Sequence, residues 1–341
     1  MMARIKNGLA YLREKMQDIY KTWKRKDILE NIPNICCNNI CFVLIHTGNK
    51  KIPSYILDCI KQIRLFNDGA IIFVCEVKKQ GIVEEISRYA HVIDINDIKA
   101  SNKHLQFLRK VKMQAFAKYT TDRFFILEEV ISCCHLKNVI HIENDVLVYD
   151  NFDQYLELLS AEDKLHLTRH NDYQCIGGLV FVPSENAIAE YTQFLLEHCV
   201  NEYMNDMDSL SLFAYEKGVS YLPVITQDYY INNGLRSIEG HEVLSDQEAE
   251  AYFNNVGRYN CIFDAAAIGQ YIGGIDKIHN NTDTRGYINT NCMYNASKMQ
   301  IIWKCENDLY IPYINEGVKE YRLVNLHIHS KELKKYMSIR T

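Results

Sequence analysis

Two acidic residues stand two positions apart in His141-Ile142-Glu143-Asn144-Asp145. The expected strand Val139-Ile140-His141-Ile142 leads into them, so they fall where a buried strand should end. In an extended loop, both carboxylates can then turn toward one hard cation, and such a cation could hold a diphosphate. The plainer reading is a solvated turn, yet a charge at the exit of a buried strand needs a partner. Near the C-terminus, Leu323-Val324-Asn325-Leu326-His327-Ile328-His329-Ser330-Lys331 places His327 and His329 on one side of an expected strand. Imidazole is a good third metal ligand beside carboxylates.

Other segments offer groups for proton transfer or close approach. In Asn205-Asp206-Met207-Asp208-Ser209, Asp206 or Asp208 can orient or deprotonate a hydroxyl, or simply cap a helix. Asp264, followed by Ala265-Ala266-Ala267 and later Gly273-Gly274, reads as the cap of a short helix with a tight stop, or as a base on a pocket wall. Gly177 and Gly178 precede the apolar run Leu179 to Val182; they form a turn or let backbone approach a ligand. Arg123 stands in the helical Asp122-Arg123-Phe124-Phe125-Ile126-Leu127-Glu128, where it reaches either Glu128 or Glu129 or an anion.

The elements that must position these residues follow from periodicity. Ile40 to Ile45 reads as a buried strand ending in His46-Thr47-Gly48, followed by a helix over about 52–66 and a strand from Ala70 to Cys75. A short strand from His91 to Ile95, a mostly helical stretch from Lys103 through Cys134 and the strand Val139 to Ile142 come next. Strand, loop, helix, strand order predicts a parallel sheet, with ligands at the C-terminal strand ends where His46, Thr47 and Gly48 fall. Beyond residue 150 the pattern is more mixed, with a strand from Lys164 to Thr168 and a helix from Glu185 to Val200.

Residues 1–30 stand apart. Ile5, Leu9, Leu12, Met16, Ile19 and Trp23 form one apolar stripe, and residues 1–27 carry eight Lys/Arg against three acids, the pattern of a membrane-surface helix or of one packed on the body or on a second subunit. The rest divides into a half with the parallel-sheet pattern of the nucleotide-binding type, 31–150, and a more mixed half, 151–341, without a clean linker.

At 341 residues and 48% apolar composition, the chain can bury a substantial core. A net charge of −5 argues against a general nucleic-acid binder. The twelve cysteines lack paired C-x-x-C spacing, and several lie in apolar runs, which favours a reducing setting and not a zinc or disulfide framework. No stretch reaches the length of a spanning helix, so a cytoplasmic protein is expected, peripheral at a membrane surface if residues 1–30 bind one.

The run His-Ile-Glu-Asn-Asp-Val-Leu-Val-Tyr resembles the D-x-D region of GT-A-fold glycosyltransferases, with glutamate as its first acid. The resemblance implies an α/β, Rossmann-like fold with a mixed, mainly parallel central sheet flanked by helices in one large domain. It implies that Asp145 ligates Mn2+ or Mg2+ and that Glu143 contacts the metal or the donor ribose, with Asn144 between them in the donor site. The Arg123 helix resembles that of glycogenin-like enzymes, where the arginine reaches the donor's phosphates or sugar. Gly177 and Gly178 resemble the donor-sugar wall, and Asp206 and Asp208 the acceptor-facing segment. His327-Ile328-His329-Ser330-Lys331 resembles the closing element, with a late histidine on the metal and Lys331 near the phosphates. The implied partners are a nucleotide-sugar donor, with a uridine diphosphate sugar the commonest, and a glycan, protein or lipid-linked acceptor. Retention or inversion stays open. The alternatives are a sugar-phosphate nucleotidyltransferase, for which His46-Thr47-Gly48 is a poor triphosphate loop, and a non-catalytic scaffold of the same fold.

Overall fold

A computed structural model describes residues 39–48, 51–77, 81–111, 115–198, 204–238, 244–276 and 285–339; the amphipathic segment 1–30 lies outside them. Its centre is a sheet of seven strands: β1 (Cys41–His46), β2 (Ile71–Cys75), β3 (His91–Asp94), β4 (Val139–Ile142), β6 (His166–Arg169), β7 (Cys175–Val182) and β8 (Ser220–Leu222), in the order β3-β2-β1-β4-β7-β6-β8. Pairing is parallel from β3 through β4 and between β6 and β8, and antiparallel on both sides of β7. Only β7 therefore runs against the rest, which is the mixed, mainly parallel α/β sheet expected. Strands from both sides of residue 150 share it.

The unbroken apolar runs follow from burial on both faces. In β1, Phe42 and Leu44 join one core while Cys41, Val43 and Ile45 join the other. Helix α1 (Tyr55–Phe66) covers the first face with Ile56, Ile60 and Ile63. The second face is covered by helices named here in chain order: α2 (Asn102–Lys110), α3 (Ala115–Cys133), α4 (Glu185–His198) and α5 (Asp206–Lys217). The expected helical stretch from Lys103 to Cys134 is thus two helices. The glycines expected as a turn before Leu179 lie inside β7, whose eight residues are all buried; apolar Cys175-Ile176 ahead of them extends the strand.

Beyond the main sheet, β9 (Cys261–Ile262), β10 (Ile301–Glu306), β11 (Leu309–Asn315) and β12 (Glu320–Leu323) form a four-stranded sheet. A two-stranded ladder then joins β5 (Val146–Val148) to β13 (Asn325–His327), pairing Val148 with Asn325, Leu147 with Leu326 and Val146 with His327. His329 was expected on the same strand as His327, but β13 ends at His327 and His329 lies in the following turn.

Asp264 locks this ladder to helix α6 (Ile268–Gly273). Its Oδ1 accepts from the amides of Ala267 (2.9 Å) and Ile268 (2.8 Å), and its Oδ2 from those of Gly269 (2.8 Å) and His327 (2.9 Å). Asn325 completes the lock by accepting from the Asp264 amide at 3.0 Å and donating to its carbonyl. The contact leaves no room at Gly269, where a Cβ would fall 2.2 Å from the His327 carbonyl oxygen. On the opposite face, His104 of α2 braces α3 through Asp122 (Nε2 to Oδ1, 2.6 Å) and Glu129 (Nδ1 to Oε1, 3.0 Å). Burial disfavours the imidazolium, but the two carboxylates outweigh it and raise its pKa to about 9.

Two predictions follow from this packing. Gly269→Ala forces α6 off β13 and should cost about 2–3 kcal/mol by overpacking in urea unfolding, whereas Gly257→Ala, which meets nothing within 4 Å, should cost nothing; equal effects would refute the close-approach argument. His104 in the unfolded chain titrates near 6.5, below its folded value of about 9. The stability from its charged pairs is therefore complete below about pH 6.5 and lost as pH rises through about 9. His104→Gln should flatten the fall in melting temperature across that window, and a variant that keeps the parent's slope would show that His104 is not its source.

Candidate active site

The C-terminal ends of β1 and β4 lie side by side, and the chain leaving β4 turns at once. Glu143 donates its amide to the Gly178 carbonyl at 2.9 Å, and the Val146 amide returns to the Glu143 carbonyl at 3.2 Å. Asn144 ties the turn to β1 by donating to the Ile45 carbonyl at 3.0 Å. Buried Cys59 of α1 lies beneath, donating its thiol to the Val146 carbonyl at 3.0 Å. These bonds fold residues 143–146 into a tight turn, not the extended loop that the spacing suggested, and fix Glu143 and Asp145 within it.

The register of β5 with β13 delivers the third group. His327 Nε2 lies 3.2 Å from Glu143 Oε2 and 3.2 Å from Asp145 Oδ2. One ligand atom from each of these three side chains lies within 4.8 Å of the others. His329 is not in that group; its Nδ1 accepts from the Asp276 amide at 3.3 Å. Lys331, in a left-handed backbone conformation (φ 65°), reaches back to Asp145 Oδ2.

Arg123 arrives from α3 on the other side. It bonds Glu143 Oε1 through Nη1 and Asp206 Oδ2 through Nη2, the latter at 2.7 Å. The result is a chain of alternating charge: Asp206, Arg123, Glu143, His327, Asp145, Lys331. Burial works against every ion in it, but partners decide the balance. Burial raises the Asp145 carboxyl, yet His327 and Lys331 outweigh this and hold it well below the usual range. Glu143 is likewise lowered, with Arg123 and then His327 overcoming burial. Asp206 goes the other way, because burial exceeds the pull of Arg123. His327 is raised to about 8, since Asp145 more than offsets its burial.

Adjacent strand residues face opposite sides, and each glycine of β7 clears one. A Cβ on Gly177 would stand 2.6 Å from Arg123 Nη2 and 3.2 Å from Asp206 Oδ2. One on Gly178 would stand 2.9 Å from His327 Nδ1 and 3.3 Å from Glu143 Oε2. Both glycines therefore make room for the site's own side chains.

The remaining sequence candidates divide by position. His46, Thr47 and Gly48 are half-buried at the end of β1 next to the acidic turn, Gly48 with φ 92°. Asp208 sits within the first turn of α5, its oxygens taken by Gln174 (3.0 Å) and Asn205 (2.7 Å), while Asn205 itself caps that helix. Asp264 spends both oxygens on four backbone amides, so it positions His327. Arg123 pairs with Glu143 and Asp206, and neither Glu128 nor Glu129 is its partner; Glu128 pairs with Lys103 and Glu129 with His104. Sequence reasoning missed Asn325 and His104. A lone amide inside Leu323-Val324-Asn325-Leu326 was the available signal for the first; a single helical histidine gave none for the second.

No protein-family model matches the chain, and neither does any curated protein. Among solved structures, it is similar to mouse xyloside xylosyltransferase 1 in its apo form, at 10% identity over 63% of this chain and 93% of that one, with a TM-score of 0.42. It is similar to the galactosyltransferase LgtC in complex with donor and acceptor sugar analogs, at 14% identity over 59% of this chain and 80% of that one, TM-score 0.41. A third is the PaToxG glycosyltransferase, at 13% identity over 59% and 81%, TM-score 0.37.

Proposed function

We propose that the chain is a metal-dependent glycosyltransferase of the GT-A type, moving a sugar from a nucleoside diphosphate donor, a UDP-sugar, to a hydroxyl of a glycan, protein or lipid-linked acceptor. The observation that carries this reading is the convergence of Glu143, Asp145 and His327 between two cations, Arg123 and Lys331. Two carboxylate oxygens and one imidazole nitrogen form a hard donor set that suits Mn2+ or Mg2+ and not a thiophilic metal. Among the described residues, the side chains of the site also carry buried polar atoms without a partner, namely His327 Nδ1, Asn144 Oδ1 and Arg123 Nε. Buried polar groups are almost always bonded, so a cluster of orphans fits a site completed by a polar ligand.

Asp145, Glu143 and His327 would hold the ion, which supplies charge neutralisation for a diphosphate leaving group. Arg123 fixes the Glu143 carboxylate through Oε1 and leaves Oε2 facing His327. Lys331 adds a second positive charge at the Asp145 end of the cluster. Around the start of α1, an open pocket of about 740 Å3 is lined by Lys51, Ile52, Pro53, Ser54, Tyr55, Gly81 and Ile82, a size that suits a nucleotide-sized ligand. Tyr55 stands one helical turn before Cys59, whose thiol bonds the Val146 carbonyl under the acidic turn.

The test is a panel of nucleotide sugars with and without Mn2+, read by donor hydrolysis and thermal shift, on the parent and on Asp145→Ala. The parent should hydrolyse or be stabilised by one donor only with the metal, and Asp145→Ala should lose at least about 100-fold of that hydrolysis, the scale of removing one preorganised charge-stabilising group. Binding that ignores both the metal and the substitution would overturn the proposal.

A further inference from the structure

Lys331 and His327 meet on the same oxygen. Lys331 Nζ bonds Asp145 Oδ2, and His327 Nε2 lies 3.2 Å from that atom. A divalent ion held by Asp145 and His327 must therefore contend with an ammonium already on its ligand. We propose that Lys331 is an internal cation that competes with the divalent ion for Asp145 and, once displaced, pairs with the donor's diphosphate, so that ion and nucleotide bind cooperatively. This rests on the proposed function of the site and adds its binding order.

The two ends of the pair differ in freedom. The Asp145 side chain is 7% exposed and that of Lys331 31%, so the carboxylate cannot leave while the ammonium can swing outward on its flexible stem. The backbone beneath does not need to move. The Lys331 amide donates to the Ile328 carbonyl and the Ile328 amide to the Asp145 carbonyl, each at 2.9 Å, and buried Leu333 anchors the chain beyond. The pair also has a reason to exist. A buried carboxylate without a partner is strongly destabilising, and Lys331 together with His327 supplies that partner whenever no metal does. When an ion takes Asp145, the released ammonium stands beside whatever anion the ion attracts, and reciprocity then requires the anion to tighten ion binding by the same factor.

The experiment is isothermal titration of the full chain with Mn2+ alone and with Mn2+ in the presence of saturating UDP. It compares the parent with Lys331→Met, which keeps the stem and deletes the charge, Lys331→Gln as a second charge-deleted variant, and Lys331→Arg. Both charge-deleted variants should bind Mn2+ alone about tenfold more tightly than the parent, within the usual range of coupling between ligands. The tightening of Mn2+ by UDP should shrink by a similar factor in them and persist in Lys331→Arg. Mn2+ affinity in Lys331→Met and Lys331→Gln that equals or falls below the parent's would overturn this inference and leave the glycosyltransferase reading intact. A parent that takes up no Mn2+ with or without UDP would remove that reading itself, and the inference with it.

Discussion

The ladder between Val146–Val148 and Asn325–His327 is the constraint on which the site depends. It closes a loop of 182 residues, from Asp145 to His327, and closing so long a loop is entropically unfavourable until other contacts offset it. Those contacts surround it: Asp264 and Asn325 pin β13 on one side, and Ile328 continues the pairing to the Asp145 carbonyl on the other. Because strand side chains alternate, a slip of one residue would turn His327 away from the carboxylates and bring Leu326 or Ile328 in its place. The four amides on Asp264 thus act at a distance, fixing which residue faces the acidic turn.

A second constraint is electrostatic. Six charged or chargeable groups stand in line, most of them buried, and replacing such a set with well-packed apolar residues is often neutral or even stabilising. Stability alone does not explain the arrangement. Alternation explains how it persists, since each ion has an opposite charge on every side and the desolvation cost is shared along the chain. Asp206 marks one end; it has Arg123 as its charged partner, and burial lifts its carboxyl. Lys331 marks the other end; its ammonium turns inward to Asp145 while its side chain is 31% exposed. The line therefore runs from a buried end to a partly exposed one.

Much of this was legible in the chain itself. Apolar runs in β1 and β2 require burial on both faces, and this dictated a helix-covered, mainly parallel sheet. The acids at 143 and 145 follow a strand of that sheet, so their place at its end was determined locally; a capped helix start near 205–208 was legible too, although the cap is Asn205 and not Asp206 or Asp208 as expected. Arg123 was visible as a charge on an apolar helix, but its partners were not.

What the tertiary structure decided concerns groups far apart in sequence. Periodicity is a local property, and it cannot say that β13 ends at His327, which leaves His329 to the turn and the Asp276 amide. Nor can it tell that Gly177 and Gly178 sit within β7, since the reason for both lies in Arg123 and His327, which arrive from α3 and β13. Asp206, Asp208 and Asp264 look alike as helix-opening acids. Only the fold separates one that joins the charge chain from one tied to Gln174 and one spent on four amides, because a carboxylate's role is set by the donors that reach it.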